Sequence, residues 1–292
     1  MDNGQPLLTL HLLFHKPINL KLSKLNLNFE SMHLRKIAII ALATLTVAGA
    51  ASTVAYAAGR RSKTKAQPKS EATAGPQKTA PYSISRFKSL DVSSSVDVKY
   101  TVAPTVSMTA KGQEEDLKYL TVKSENGTLK ITRSYPVGYR RQNYDGIEVT
   151  LTGPAAEKIN LRGTATLRVD SSYNLAGKSL TLRLEGATRA TFSGTVNARV
   201  VNVGISGASR VAFGTETSSS TSVSTSGSST CTFGALRTGL LGAATSGSSR
   251  ITLNGTVQKA ELSSSGASSI NASALHCDNT TVSSTGASHI KR

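Results

Sequence analysis

One glycine recurs down the second half of the chain, at Gly163, Gly186, Gly207, Gly227, Gly247, Gly266 and Gly286. The successive spacings are 23, 21, 20, 20, 19 and 20 residues. A period in this range marks a stack of repeated structural units, each too small to bury its own apolar side chains. The residues around the glycine decide what kind of unit it is. Four residues before it stand Ile159, Leu182, Val203, Val223, Ala243, Leu262 and Val282. Two before it stand Leu161, Leu184, Ile205, Thr225, Thr245, Ser264 and Ser284. Four after it come Leu167, Ala190, Val211, Cys231, Ile251, Ile270 and Ile290, and six after it Val169, Phe192, Phe213, Phe233, Leu253 and Ala272. Positions three and five after it are mostly polar. This is period-two alternation on both sides of a glycine corner, hence two short strands per coil with one face inward.

The fold that follows is all-β, a single-chain parallel β-solenoid over residues 159–292 with about seven coils of 20 residues. Like side chains form ladders about 4.8 Å apart along the stack. A right-handed, β-helix-like winding is the default for parallel crossovers. The glycine gives the corner a backbone conformation closed to other residues, and the Ala/Ser-Ser after it keeps the corner small, with hydroxyls that bond nearby backbone. Phe192-Ser193-Gly194-Thr195-Val196 and Leu253-Asn254-Gly255-Thr256-Val257 hint at a third short side. No stretch shows the 3.6-residue period of a helical solenoid. Aromatic residues make up only 5% of the chain, as in repetitive β structure or disorder, but disorder has no periodic apolar columns.

Residues 81–158 read as an N-terminal β lobe that caps the first coil. Phe87–Val92 and Val96–Val102 alternate as strands, Gln113–Lys118 as a helical turn, and Asn126-Gly127 joins Leu120–Lys123 to Thr128–Thr132 as a hairpin. Further upstream, His33-Leu34-Arg35-Lys36, the apolar run Ile37–Ala48 and Ala55-Tyr56-Ala57 have the order of a secretory signal peptide over 32–57. Met32 directly precedes it, so residues 1–31 read as an extension from a misassigned start. An uncleaved anchor from Ile37 to Ala58 is the competing reading, and it alone would tie the chain to a membrane. Residues 58–80 read as a basic disordered linker: Arg60, Arg61, Lys63, Lys65, Lys69 and Lys78 face only Glu71.

The opening Arg86-Phe87-x-x-Leu90-x-Val92, then Val96-Asp97-Val98, the Gly112–Asp116 turn with Leu129-Lys130-Ile131, and the Ser-Gly-Ala-Ser coils to the last residue stand in a characteristic order. In these motifs the chain resembles the family described as "putative auto-transporter adhesin, head GIN domain". The likeness covers about residues 84–292. It implies a β-solenoid in the envelope of Bacteroidetes-like bacteria and an adhesin role, with no catalytic residues to carry over.

Chemistry is sparse. His276-Cys277-Asp278 are adjacent in a strand, which points neighbours to opposite faces, so they do not read as a metal site. Cys231 reads as a small buried hydrophobe, and Cys277 sits two coils away on another side. At roughly 9.6 Å the two lie beyond disulfide reach. Asp170, Glu185, Glu216, Glu261 and Asp278 scatter over different columns, unlike the clustered acids of pectin-cleaving β-helices. No catalytic, cofactor or metal site is assigned.

The one candidate surface is a broken basic stripe of Arg189, Arg210, Arg250 and His289, with Arg168 beside it. It suits an acidic glycan, lipopolysaccharide or an envelope protein; export and the few aromatics argue against nucleic acid. The reading is an exported, non-enzymatic envelope or secreted binding module, an adhesin or glycan binder. Its rivals are a structural or regulatory periplasmic scaffold that binds a partner or itself, and a carbohydrate-active enzyme.

Overall fold

A computed structural model describes residues 76–137 and 146–292. The expected extension (1–31), the signal segment (32–57) and the linker up to residue 75 lie outside the described residues. Among the described residues no helix is long and apolar enough to cross a membrane.

Ahead of the repeats come β1 (Gln77–Tyr82), β2 (Ser89–Ser93), β3 (Val96–Val102) and β4 (Ser107–Gln113). The helical turn α1 (Glu114–Leu117) follows, then β5 (Leu120–Glu125), β6 (Thr128–Arg133) and β7 (Ile147–Gly153). The repeats open with β8 (Lys158–Gly163), β9 (Thr166–Val169), β10 (Tyr173–Asn174), β11 (Ser179–Gly186), β12 (Arg189–Asn197) and β13 (Val200–Ile205). Then β14 (Arg210–Thr225), β15 (Thr230–Thr245), β16 (Arg250–Gly266) and β17 (Ser269–Gly286) each wrap most of a coil, and β18 (His289–Lys291) stacks on the start of β17.

The architecture is the parallel β-solenoid. Two ladders run the length of the stack. Before the corner glycine the order is β6–β2–β8–β11–β13–β14, and after it β7–β3–β9–β12–β14. From β14 onward both ladders continue along single strands. The lobe differs from the expected cap in one respect: β2 with β3, and β6 with β7, are coils of the same stack. Coil β2–β3, first in the chain, lies between β6–β7 and β8–β9, so residues 154–157 must carry the chain past it. Tyr100 Oη bonds to Pro154 O and Tyr173 Oη to Ala156 O, holding that passage from inside.

Antiparallel strands close this end. β4 lies against β7 and β1 against β4, while β5 folds onto β6 through Asn126 and Gly127, both at positive φ. β1 takes up Gln77–Ala80, the last residues of the expected linker. An edge strand needs a partner on one side only, so Pro81 fits it, and a sequence as polar as a linker suffices.

The four apolar columns point inward and are buried down to Leu262 and Ala272. Phe192, Phe213 and Phe233 stack face to face at centroid distances of 5.0 and 4.9 Å. One-residue differences in repeat length are absorbed by bulges at Phe192/Thr195, Phe233/Leu236 and Thr252/Asn254, and the longer first repeat by the connection between β10 and β11, all away from the corners, which stay aligned.

Each repeat glycine has φ between +72° and +97°, and the carbonyls of Gly163, Gly186, Gly207, Gly227 and Gly247 accept the N–H of the residue after the glycine one coil on, as in Ala208 N–H to Gly186 O at 2.7 Å. The serine two after the glycine turns its hydroxyl back across the corner: Ser209, Ser229, Ser249 and Ser268 donate to the carbonyls of Ser206, Ser226, Ser246 and Ser265 at 2.7–2.9 Å. Inside, Thr225 Oγ1 bonds Ser249, and Thr245 Oγ1 bonds Ser264 and Ser268. These hydroxyls replace the aliphatic column of earlier coils without leaving donors unpaired. Ser229→Ala should therefore lower stability by about 1 kcal/mol, read as a shifted urea midpoint with unchanged slope.

Candidate functional site

The strands after the corner present two outward columns. The first runs Asp97–Thr166–Arg189–Arg210–Thr230–Arg250–Ser269–His289 in direct ladder register. Arg189 and Arg210 are immediate neighbours, Thr230 separates Arg210 from Arg250, and Ser269 separates Arg250 from His289. Arg168 lies in the second column, between Lys99 and Thr191. The side chains of this stripe are exposed because alternation points them away from the core.

The charge environment changes across the corner. On the strands before the glycine, Arg162 is answered by Asp91 at 3.2 Å and Glu185 at 3.5 Å, and Lys259 by Glu261 at 3.3 Å. Beside the stripe, Lys99 pairs with Glu148 at 2.9 Å. Among the described residues no carboxylate forms an ion pair with Arg168, Arg189, Arg210 or Arg250; Arg250 Nε reaches only Ser269 Oγ, at 3.4 Å. A shallow groove along the corners is lined by Thr166, Ala187, Thr188, Arg189, Ala208, Ser209, Arg210, Ser228 and Thr230. A second lies against Asp97, Lys99, Glu148, Thr166 and Arg168.

The remaining chemical residues stand apart. Asp170 accepts a hydrogen bond from Ser193 at 3.0 Å, Glu185 and Glu261 are in the ion pairs above, and His276 and Asp278 are exposed around the half-buried Cys277. Among the described residues no three His, Cys, Asp or Glu side chains gather as metal ligands would. Cys231 stacks between Val211 and Ile251, is fully buried and unbridged, and burial pushes its thiol well above the ordinary range.

One inward carboxylate lies outside the four columns. Glu216 points inward, between Val196 and Leu236, and is 0% exposed. Thr221 Oγ1 donates to its Oε2 at 3.1 Å, while Oε1 has no partner. Burial pushes its carboxyl up to about 7, against the pull of the Ser218 and Thr221 hydroxyls. The third side of the coil carries the missing signal: its inward column reads Val196, Glu216, Leu236.

The family described as "Putative auto-transporter adhesin, head GIN domain" matches residues 86–231 and again 214–291, the overlap falling within the repeats. No curated protein is recognisably similar in sequence. Among solved structures, a "putative adhesin" from Bacteroides fragilis is 17% identical with a TM-score of 0.60, covering 74% of this chain and 96% of its own. A "putative adhesin" from Parabacteroides distasonis is 12% identical, with a TM-score of 0.60 over 75% and 98% of the two chains. A "putative lipid binding protein" from the same species is 16% identical, with a TM-score of 0.58 over 75% and 98%. At these identities the likeness is one of fold.

Proposed function

The chain belongs to the "putative auto-transporter adhesin, head GIN domain" family, and on that premise we propose that it is an exported, non-enzymatic binding module of the envelope or its exterior. Its contact surface is the face after the corner glycines, and its ligand is an acidic glycan or lipopolysaccharide. The observation that carries this reading is the run of exposed guanidinium groups at Arg168, Arg189, Arg210 and Arg250, spaced by the rigid ladder and without carboxylate partners among the described residues. Like charges opposite one another in a sheet cost stability, and a bound polyanion removes that cost. A rigid scaffold loses little entropy on binding. Among the described residues the carboxylates of the repeats are scattered over different columns, which supports the non-enzymatic reading.

An array of acidic glycans and lipopolysaccharides, probed with the full chain, tests the reading. Binding is expected to weaken as salt rises, and Arg189→Glu with Arg210→Glu and Arg250→Glu should weaken it by about tenfold or more, since every 1.4 kcal/mol is tenfold. A wild-type chain that binds nothing on the array above background overturns it.

A further inference from the structure

We infer that the corner groove between Arg189 and Arg210 is a site for a phosphomonoester, an inference that rests on the anionic-ligand reading of the same face. Two arginines are direct register partners, one coil apart, hence roughly 4.8 Å between backbones. Both line one groove, with Thr166, Ser228 and Thr230 adding hydroxyl-bearing walls. Ala187 and Ala208 occupy the exposed position after the corner glycine in their coils, so only methyl groups stand beside the arginines at the corner, and the buried lining residues are Thr188 and Ser209.

The number of charges selects the ligand class. Two neighbouring guanidinium groups present two positive charges and paired donor forks, and among the described residues no carboxylate compensates them. A uronate carboxylate carries one negative charge and two oxygens, which satisfies one fork. A phosphomonoester carries nearly two charges and three terminal oxygens at neutral pH, so it can accept from both guanidinium groups at once. Thr230 follows Arg210 in the column and Thr166 precedes Arg189, so the pair is bounded by neutral donors at both ends. The Arg250 position, between Thr230 and Ser269, has no second guanidinium beside it.

The test is site-resolved NMR of the arginine Nε–Hε signals of the full chain. It is titrated in turn with glycerol 3-phosphate, glucosamine 1-phosphate and glucuronate, against Arg189→Gln and Arg210→Gln variants that identify the two signals. The Arg189 and Arg210 signals should shift together and saturate with either phosphate, about tenfold more tightly than with glucuronate, while Arg250 stays within about twofold of its response to glucuronate. Either substitution should abolish the saturable shift at the remaining arginine. Preference between the two phosphates separates a lipid headgroup from a phosphorylated glycan, and both support the site. Equal tightness for glucuronate overturns the phosphate assignment and leaves the anionic-glycan reading standing. Shifts spread evenly over Arg168, Arg189, Arg210 and Arg250 overturn the groove and leave a diffuse basic face. No shift with either phosphate overturns this site, while the array decides the broader reading independently.

Discussion

Gly207→Ala should cost about 4 kcal/mol, far more than an alanine exchange at most surface corners. Two effects combine. At φ +78° the backbone is in the left-handed region, where a Cβ costs about 1–2 kcal/mol. That Cβ would also stand 2.4 Å from Gly186 O and 3.0 Å from Gly186 N in the coil below. Backbone must move, and the bond from Ala208 N–H to Gly186 O moves with it. Gly127 separates the two effects: its φ is +70°, but a Cβ added there would meet nothing within 4 Å, so Gly127→Ala should show the left-handed cost alone, about 1–2 kcal/mol. Urea unfolding of both variants checks the difference. If Gly207→Ala proves as mild as Gly127→Ala, close stacking is not what the repeat glycines serve.

Glu216→Gln should raise stability by about 3 kcal/mol at pH 8 and change it little at pH 4.5. The carboxyl ordinarily titrates at 4.5, and burial raises it to about 7 in the fold. Between those values the folded chain holds a proton that the unfolded chain releases. Stability contributed by that proton is therefore full below about pH 4.5, falls as pH rises to about 7, and is gone above it. The size follows from the shift at about 1.36 kcal/mol per pH unit. Glutamine keeps the shape without the titration, and the hydroxyls of Ser218 and Thr221 can turn to meet its amide. The measurement is the difference between wild type and variant in urea unfolding at the two pH values, which cancels every other titrating group. A difference that does not change with pH would rule the proposal out.

These two residues also mark how far the sequence can be read. Gly207 is legible because the corner repeats: the columns four and two before it, and those four and six after it, map onto buried ladders, with the glycines themselves at the exposed corner between them. Alternation about a fixed punctuation residue is strong information, and it places Arg189, Arg210 and Arg250 outward for the same reason that it places Val211 and Cys231 inward. Glu216 is not legible by that route. It lies on the third side of the coil, where bulges shift the count by a residue and the alternation is broken. The lobe is harder for another reason. The strands Ser89–Ser93 and Val96–Val102 are readable locally, yet their place between β6–β7 and β8–β9 depends on pairing across more than fifty residues, as between Leu90 and Ile159. Local pattern does not encode such a threading. Likewise the groove beside Arg189 and Arg210 depends on alanines at two successive corners, which become adjacent only when the coils stack.

The regular pairing of β14 with β15 joins Arg210 to Thr230 and Thr225 to Thr245, the same offset at both ends. A coil here is thus an interchangeable part. Duplicating or excising one whole coil would return every column to its own kind, and the arginine face would lengthen or shorten by one rung. An insertion of a single residue inside a strand would instead turn inward residues outward all the way to the next bulge. Evolution can therefore adjust the reach of this surface in discrete steps from the middle of the stack, while the threaded end must be inherited whole.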